Sequence, residues 1–142
     1  MDAGAGHDLI IAGDGDDLLF GQDGNDRAYG DGGNDYISGG RGNDALTGGS
    51  GSDTLVSSGG NDTLIGGAGA DTFIYNPGRV TILDYEDGLD TIDLWGHELP
   101  GGFSDLRFWQ DGGDVVIYTD GPLRIRLLGT DAAQLQADDF IV

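Results

Sequence analysis

An all-β fold, a solenoid of short repeats closed by a β-rich cap, is the class this sequence predicts. Two observations predict it. Residues 3–74 divide without a gap into eight blocks of nine, each with Gly at its fourth place, Asp at its sixth and an apolar residue at its eighth. After Tyr75 that period stops, and short apolar runs separated by Gly, Pro and Asp turns take over.

The blocks begin at Ala3, Ala12, Gly21, Gly30, Gly39, Gly48, Ser57 and Gly66. Their sixth positions are Asp8, Asp17, Asp26, Asp35, Asp44, Asp53, Asp62 and Asp71, and their eighth are Ile10, Leu19, Ala28, Ile37, Leu46, Leu55, Leu64 and Phe73. A flexible Gly/Asp linker would have no reason to keep an apolar residue at every eighth place of nine. The last three positions of a block read as a short strand, with position 8 inward and positions 7 and 9 outward. The first six read as a tight turn, where Gly permits positive φ and close backbone approach. Such a turn aims main-chain carbonyls and the position-6 carboxylate at one point. Oxygen donors of this kind suit a hard cation. Ca²⁺ accepts six to eight of them in irregular geometry, whereas Mg²⁺ demands a stricter octahedron.

Composition supports a cation and excludes other partners. The chain carries 26 acidic against 6 basic residues, a formal net charge of −20. Glu86 and Glu98 are the only glutamates, and every basic residue is Arg. So much like charge destabilises a compact fold unless something neutralises it, and it disfavours nucleic acid and anionic membranes. No Cys is present, so disulfides and thiolate metal sites are excluded. No apolar run reaches the length of a membrane span. The first residues lack the charged and apolar regions of a Sec signal peptide. An EF-hand is excluded as well, because its loop needs a bidentate Glu at position twelve and residues 1–85 contain none.

The repeated G-G-x-G-x-D-x-U-x pattern resembles the RTX (repeats-in-toxin, hemolysin-type) family. The resemblance implies a right-handed parallel β-roll in which two blocks make one turn and block n lies over block n+2. It implies Ca²⁺ between stacked loops, shared by aspartates eighteen residues apart. Six ions follow, between Asp8 and Asp26, Asp26 and Asp44, Asp44 and Asp62, and between Asp17 and Asp35, Asp35 and Asp53, Asp53 and Asp71. The first loop of each site would add the carbonyls of its second and fourth positions: Gly4, Gly6, Gly13, Gly15, Gln22, Gly24, Asp31, Gly33, Gly40, Gly42, Gly49 and Gly51. The second loop would add those of its first and third: Gly21, Asp23, Gly30, Gly32, Gly39, Arg41, Gly48, Ser50, Ser57, Gly59, Gly66 and Ala68. Gln22, Asp31 and Ser58 replace Gly at position 2; a carbonyl ligand survives that change, at a cost in backbone ease. The side chains of Asp14, Asp16, Asp23 and Asp31 also lie in these loops, and the simpler reading of each is a solvated turn residue.

Residues 75–142 have the composition of a cap that closes one open end of the roll. Strands are expected over Val80–Asp84, Thr91–Trp95, Leu106–Trp109, Val115–Tyr118 and Leu123–Leu128, with a hairpin turn at Asp111-Gly112-Gly113-Asp114. One helical turn is expected at Ala132–Leu135 and a last strand at Phe140-Ile141-Val142. The stretches Asp71-Thr72-Phe73-Ile74, Thr81-Ile82-Leu83-Asp84-Tyr85, Asp90-Thr91-Ile92-Asp93-Leu94 and Ala137-Asp138-Asp139-Phe140-Ile141-Val142 are similar to the C-terminal flank of serralysin-type and other RTX proteins. That likeness implies an uncleaved C-terminal signal read by type I secretion machinery. An ordinary final strand is the alternative. The cluster Asp84, Glu86, Asp87, Asp90 and Asp93 has two readings: a further calcium site near Asp84, Asp87 and Asp90, or a solvated turn. A carboxylate pair for glycoside hydrolysis lacks a sugar cleft or nucleophile beside it. Trp95 and Trp109 have the ring faces to stack on sugars, but in a region this small they are expected in the cap core. No H-E-x-x-H, G-x-S-x-G or Cys nucleophile occurs, so no catalytic site is expected.

Outward apolar residues Leu9, Ile11, Leu18 and Phe20 in the first two blocks suggest a patch that meets an N-terminal neighbouring domain or another copy. The functional expectation is a secreted, extracellular bacterial module that folds on Ca²⁺ outside the cell, at the C-terminal end of a larger protein. A calcium-dependent adhesion or polysaccharide-binding module is the alternative.

Overall fold

The computed structural model describes residues 1–94 and 96–142. Eight strands come from the repeats: β1 (Leu9–Asp14), β2 (Leu18–Asp23), β3 (Arg27–Gly32), β4 (Tyr36–Arg41), β5 (Ala45–Ser50), β6 (Thr54–Ser57), β7 (Asn61–Ala68) and β8 (Thr72–Tyr75). Six follow: β9 (Arg79–Ile82), β10 (Thr91–Asp93), β11 (Arg107–Asp111), β12 (Asp114–Tyr118), β13 (Arg124–Leu127) and β14 (Phe140–Ile141). Successive repeat strands alternate between two sheets. One sheet has the order β1-β3-β5-β7-β9-β13-β12-β11 and the other β14-β10-β8-β6-β4-β2. Within the repeats every pairing is parallel and offset by eighteen residues, as in Ile10↔Ala28↔Leu46↔Leu64 and Leu19↔Ile37↔Leu55↔Phe73. The fold is the parallel β-roll that the resemblance implies.

Position 8 fills the space between the sheets. Leu19, Ile37, Leu55 and Leu64 are fully buried, and Ala28 is enclosed between Ile10 and Leu46. The strands run longer than three residues. In β1 to β5 the pairing continues through positions 1 to 3 of the next block, so the turn shrinks to positions 4 to 6. Position 1 therefore points inward like position 8, which the two-residue strand period requires.

The cap extends the roll's own sheets. β9 and β10 stack in register on β7 and β8, and β14 finishes the six-stranded sheet beside β10. The antiparallel strands β11, β12 and β13 finish the eight-stranded one, β13 pairing with β9. The expected strands are present with shifted ends: β10, β13 and β14 are shorter than expected, whereas β9 begins at Arg79, β11 runs on to Asp111 and β12 begins at Asp114. Residues 132–134 form a turn instead of a helix, closed by the Ala133 N–H donating to the Asp131 carboxylate at 2.9 Å. Short 3-10 helices at Gly102–Asp105 and Ala137–Asp139 had no sequence signal.

Two expectations are corrected. Trp109 is 59% exposed, because it stands on the outer face of β11 while Phe108 faces inward; Trp95 lies outside the described residues. The N-terminal apolar residues form no single patch. Leu9 and Ile11 lie on the outside of one sheet, Leu18 and Phe20 on the outside of the other, where the Phe20 ring packs 6.0 Å from Tyr36.

Candidate metal centre

Each position-6 aspartate sits at the end of a turn, and from Asp26 to Asp71 its carboxylate reaches back to the turn stacked on it. The Asp26 carboxylate accepts the Asp8 backbone N–H at 2.8 Å, and Asp44 accepts that of Asp26 at 2.9 Å. The same bond joins Asp44 to Asp62, Asp17 to Asp35, Asp35 to Asp53 and Asp53 to Asp71, at 2.8–3.0 Å. These are the six pairs that the resemblance implies. Each such carboxylate uses only Oδ1. The Oδ2 atoms of Asp8, Asp26, Asp35, Asp44, Asp53, Asp62 and Asp71 are buried and have no partner. A buried anionic oxygen without a donor is strongly unfavourable, so a row of them calls for cations.

The surroundings are lined with oxygen. A Cβ placed on Gly21 would lie 2.4 Å from Asp26 Oδ2 and 2.5 Å from the Gly39 carbonyl oxygen. The same pair of contacts recurs at Gly30, with Asp35 Oδ2 and the Gly48 oxygen, and at Gly48, with Asp53 Oδ2 and the Gly66 oxygen. Gly at position 1 thus keeps side chains out of a cradle bordered by one carboxylate and one carbonyl from the next turn. Burial, the main cause, pushes the carboxyls of Asp44, Asp53 and Asp71 above the usual range, and that of Asp62 up to about 6. The neighbouring aspartate of the ladder adds to the rise and the backbone N–H bond opposes it.

A profile of the RTX calcium-binding nonapeptide repeat (4 copies) matches residues 1–28, 11–46, 20–55 and 47–82. The chain belongs to the RTX calcium-binding repeat family. Among solved structures, this RTX chain is similar to extracellular lipase LipA from Serratia marcescens. The identity is 16% and the TM-score 0.51, over 96% of this chain and 38% of that one. It is also similar to the AlgE6R3 subunit of the Azotobacter vinelandii mannuronan C5-epimerase. There the identity is 24% and the TM-score 0.54, over 95% of this chain and 78% of that one. No curated protein sequence matches it. The RTX module therefore spans little more than a third of the lipase.

Other oxygens named by the RTX pattern have further work. The third-position carbonyls of Asp23, Gly32, Arg41, Ser50 and Ala68 each accept the N–H of the position-4 Gly one turn away, at 2.6–2.9 Å. That leaves each the second lone pair of its carbonyl. At position 2, Gln22 and Asp31 adopt φ of 80° and 73°, the strained conformation expected of non-glycine residues there. The turn of the seventh block is built differently. Ser58 lacks the positive φ, Gly59 at position 3 takes it, and the Ser57 carbonyl accepts the Asn76 N–H at 3.2 Å. Among the described residues no three His, Cys, Asp or Glu side chains cluster as a metal site.

The sequence reading missed a second ladder. At position 5, His7 Nδ1 accepts the Asn25 N–H, Asn25 Oδ1 that of Asn43, and Asn43 Oδ1 that of Asn61, at 2.7–2.8 Å. Asp16, Asn34 and Ser52 continue it on the other stack. The recurrence of Asn every eighteen residues was the available signal. At the cap junction, Asp84 accepts the N–H groups of Gly66 and Gly67, and Asp90 those of Asp71 and Glu86, all at 2.9 Å. Asp90 thereby carries the aspartate ladder one rung further, nineteen residues on.

Proposed function

We propose that this RTX module is a calcium-driven folding device: disordered where calcium is scarce, rolled up where it is plentiful. The observation that carries this reading is the row of buried, unpartnered Oδ2 atoms. The six aspartate pairs, with the carbonyls of positions 1 to 4, would hold about six inter-turn ions. Each ion supplies positive charge where carboxylates meet and ties two turns that neither loop would hold alone. The cap cluster is better read as a set of backbone caps, since the oxygens of Asp84 and Asp90 already accept four N–H bonds. A seventh ion there is supported by one atom, Asp71 Oδ2.

Extracellular calcium modules bind in the range of about 10⁻⁴–10⁻³ M. Below that concentration the glycine loops keep their entropy and the aspartates repel, so the chain stays extended enough to pass a type I exporter. Outside, binding supplies folding free energy, and residues 75–142 close the end of the roll formed by residues 3–74. The C-terminal residues 137–142 would be read by the exporter before they fold into β14. The likeness in fold to an extracellular lipase fits a secreted parent protein with its catalytic machinery elsewhere, and no catalytic role is assigned to the module.

The test is circular dichroism during a calcium titration, with the bound calcium counted. A sharp, cooperative gain of β signal and about six ions per chain are expected. A full β signal in chelator would overturn the reading.

A further inference from the structure

The acids of this chain lie mainly in turns, whereas five of its six arginines share one surface. Arg27, Arg79, Arg107, Arg124 and Arg126 all point outward from the eight-stranded sheet, four of them at its cap end. Strand register lines them up. Val80 pairs with Ile125, which sets Arg79 beside Arg124; Arg124 pairs with Tyr118 and Tyr118 with Arg107. The next row runs Thr81, Arg126, Val116 and Trp109. A groove floored by Thr81 and Val116 lies between Arg79, Arg124 and Arg126.

This surface is prepared for a ligand. Like charges side by side on a sheet are unfavourable, yet Arg79 and Arg124 stand so in a chain with 26 acids. Among the described residues, only Arg126 of this group forms an ion pair, with Asp111 at 3.0 Å and Asp114 at 2.7 Å. Arg124 is held in place: its guanidinium lies 5.5 Å from the Tyr118 ring centre and donates to the carbonyls of Thr119, Gly121 and Leu123. Arg107 donates to the Ser104 carbonyl at 3.1 Å. Trp109 leaves a large ring exposed at the end of the second row.

The geometry points to a docking surface for an acidic polysaccharide on this face, with Arg79, Arg124 and Arg107 pairing with sugar carboxylates and Trp109 stacking on a pyranose ring. Guanidinium forks match carboxylates two-pronged. Strands recur every ~4.8 Å across the row, a step comparable to one sugar of an extended chain. A uronate polymer carries one charge per sugar. Duplex DNA carries one per ~1.7 Å and would meet the net charge of −20 at far greater repulsion. The surface relies on arginine, and the aspartate ladders of the roll lie in the turns, away from it.

The test uses the full chain in saturating calcium, with circular dichroism to confirm that every variant is rolled. A short polygalacturonate oligomer is titrated by calorimetry beside a maltooligosaccharide of equal length, a short DNA duplex and phosphatidylserine vesicles. Binding of the uronate oligomer alone is expected, weakening as salt rises. The double variant Arg79→Ala/Arg124→Ala, and separately Trp109→Ala, should each weaken it about tenfold or more. Thr72→Ala, on the outer face of the other sheet, should leave it unchanged. Unaltered affinity in the arginine variants would overturn the proposal, as would no uronate binding, equal affinity for the neutral oligosaccharide, or tighter binding to DNA or vesicles.

Discussion

The roll and the cap solve the same electrostatic problem in opposite ways. In the roll, carboxylates are buried at the turns with one oxygen bonded to backbone and the other unpartnered. In the cap, carboxylates find protein donors. Asp114 meets Arg126, whose guanidinium holds its carboxyl below the usual range, and also accepts the Gly129 N–H. Asp139 accepts the Gln136 N–H at 2.6 Å, and Asp84 and Asp90 accept four N–H groups between them. The sequence separates the two regimes. Arginines 79, 107, 124 and 126 all follow the last repeat, while the eight repeats carry only Arg27 and Arg41. A region without counter-charges has to borrow them from solution if its buried carboxylates are to stay charged, and the proposed calcium-driven folding rests on that.

Calcium removal should expose this contrast most strongly. In chelator, amide protection measured by hydrogen exchange should vanish across β1 to β8, while β11, β12 and β13 lose the least. Equal loss in both regions would mean that the cap has no stability of its own and that the difference in carboxylate pairing has no energetic weight.

Glycine substitution probes the same boundary. A Cβ at Gly24 would fall 1.4 Å from the Gly6 carbonyl oxygen, at a φ of +148°. Gly112, in the cap hairpin, has open space and a φ of +66°. Gly24→Ala should cost about 3 kcal/mol or more, since backbone must move in two turns. Gly112→Ala should cost about 1 kcal/mol, from φ alone. Thermal melts of the two variants in calcium give the comparison, and similar losses would contradict the tight stacking of the turns.

How legible each region was in the sequence follows from the same difference. The roll is periodic, so position 8 marked the core, and the resemblance to RTX repeats supplied the spacing of eighteen that pairs the position-6 aspartates and the strands. Where the repeat loosens, legibility falls: with Ser58 at position 2, the positive φ of that place moves to Gly59 at position 3. The cap strands were visible as apolar runs, but their partners were not, because nothing local says that β13 pairs with β9 and not only with β12. Trp109 was misplaced for that reason. Which face of an edge strand looks inward depends on β12 and β14, and the rings of Phe108 and Phe140 took the inner side.

Acidity should act with opposite sign in the presence and absence of calcium. Without a cation, burial raises the carboxyls of Asp44, Asp53, Asp62 and Asp71 above their unfolded values. The folded roll then binds more protons than the unfolded chain. Its stability is fully present below pH ~4, the ordinary aspartate value, and is lost as pH rises through the folded values, which for Asp62 lie at about 6. Lowering pH from 7 to 4 in chelator should therefore restore part of the β signal. In calcium the same change should weaken the fold, because protons displace the ion from its carboxylates. A pH profile with the same sign in both media would show that the unpartnered oxygens are not the groups that titrate.

The smallest effect separates the two ladders. Asn43 accepts the Asn61 N–H and donates its own to Asn25 at 2.7–2.8 Å, on the exposed side of the turns. Asn43→Ala removes one acceptor and should cost about 1 kcal/mol, with the number of bound ions unchanged. Asp44→Asn, one residue on, keeps a side-chain oxygen for the Asp26 N–H but halves the charge shared with each neighbour, so it should remove up to two ions. If Asn43→Ala also lowers the calcium count, position 5 belongs to the metal centre. If it does not, the roll carries two ladders on adjacent residues, one that needs an ion and one that needs only its neighbour's backbone.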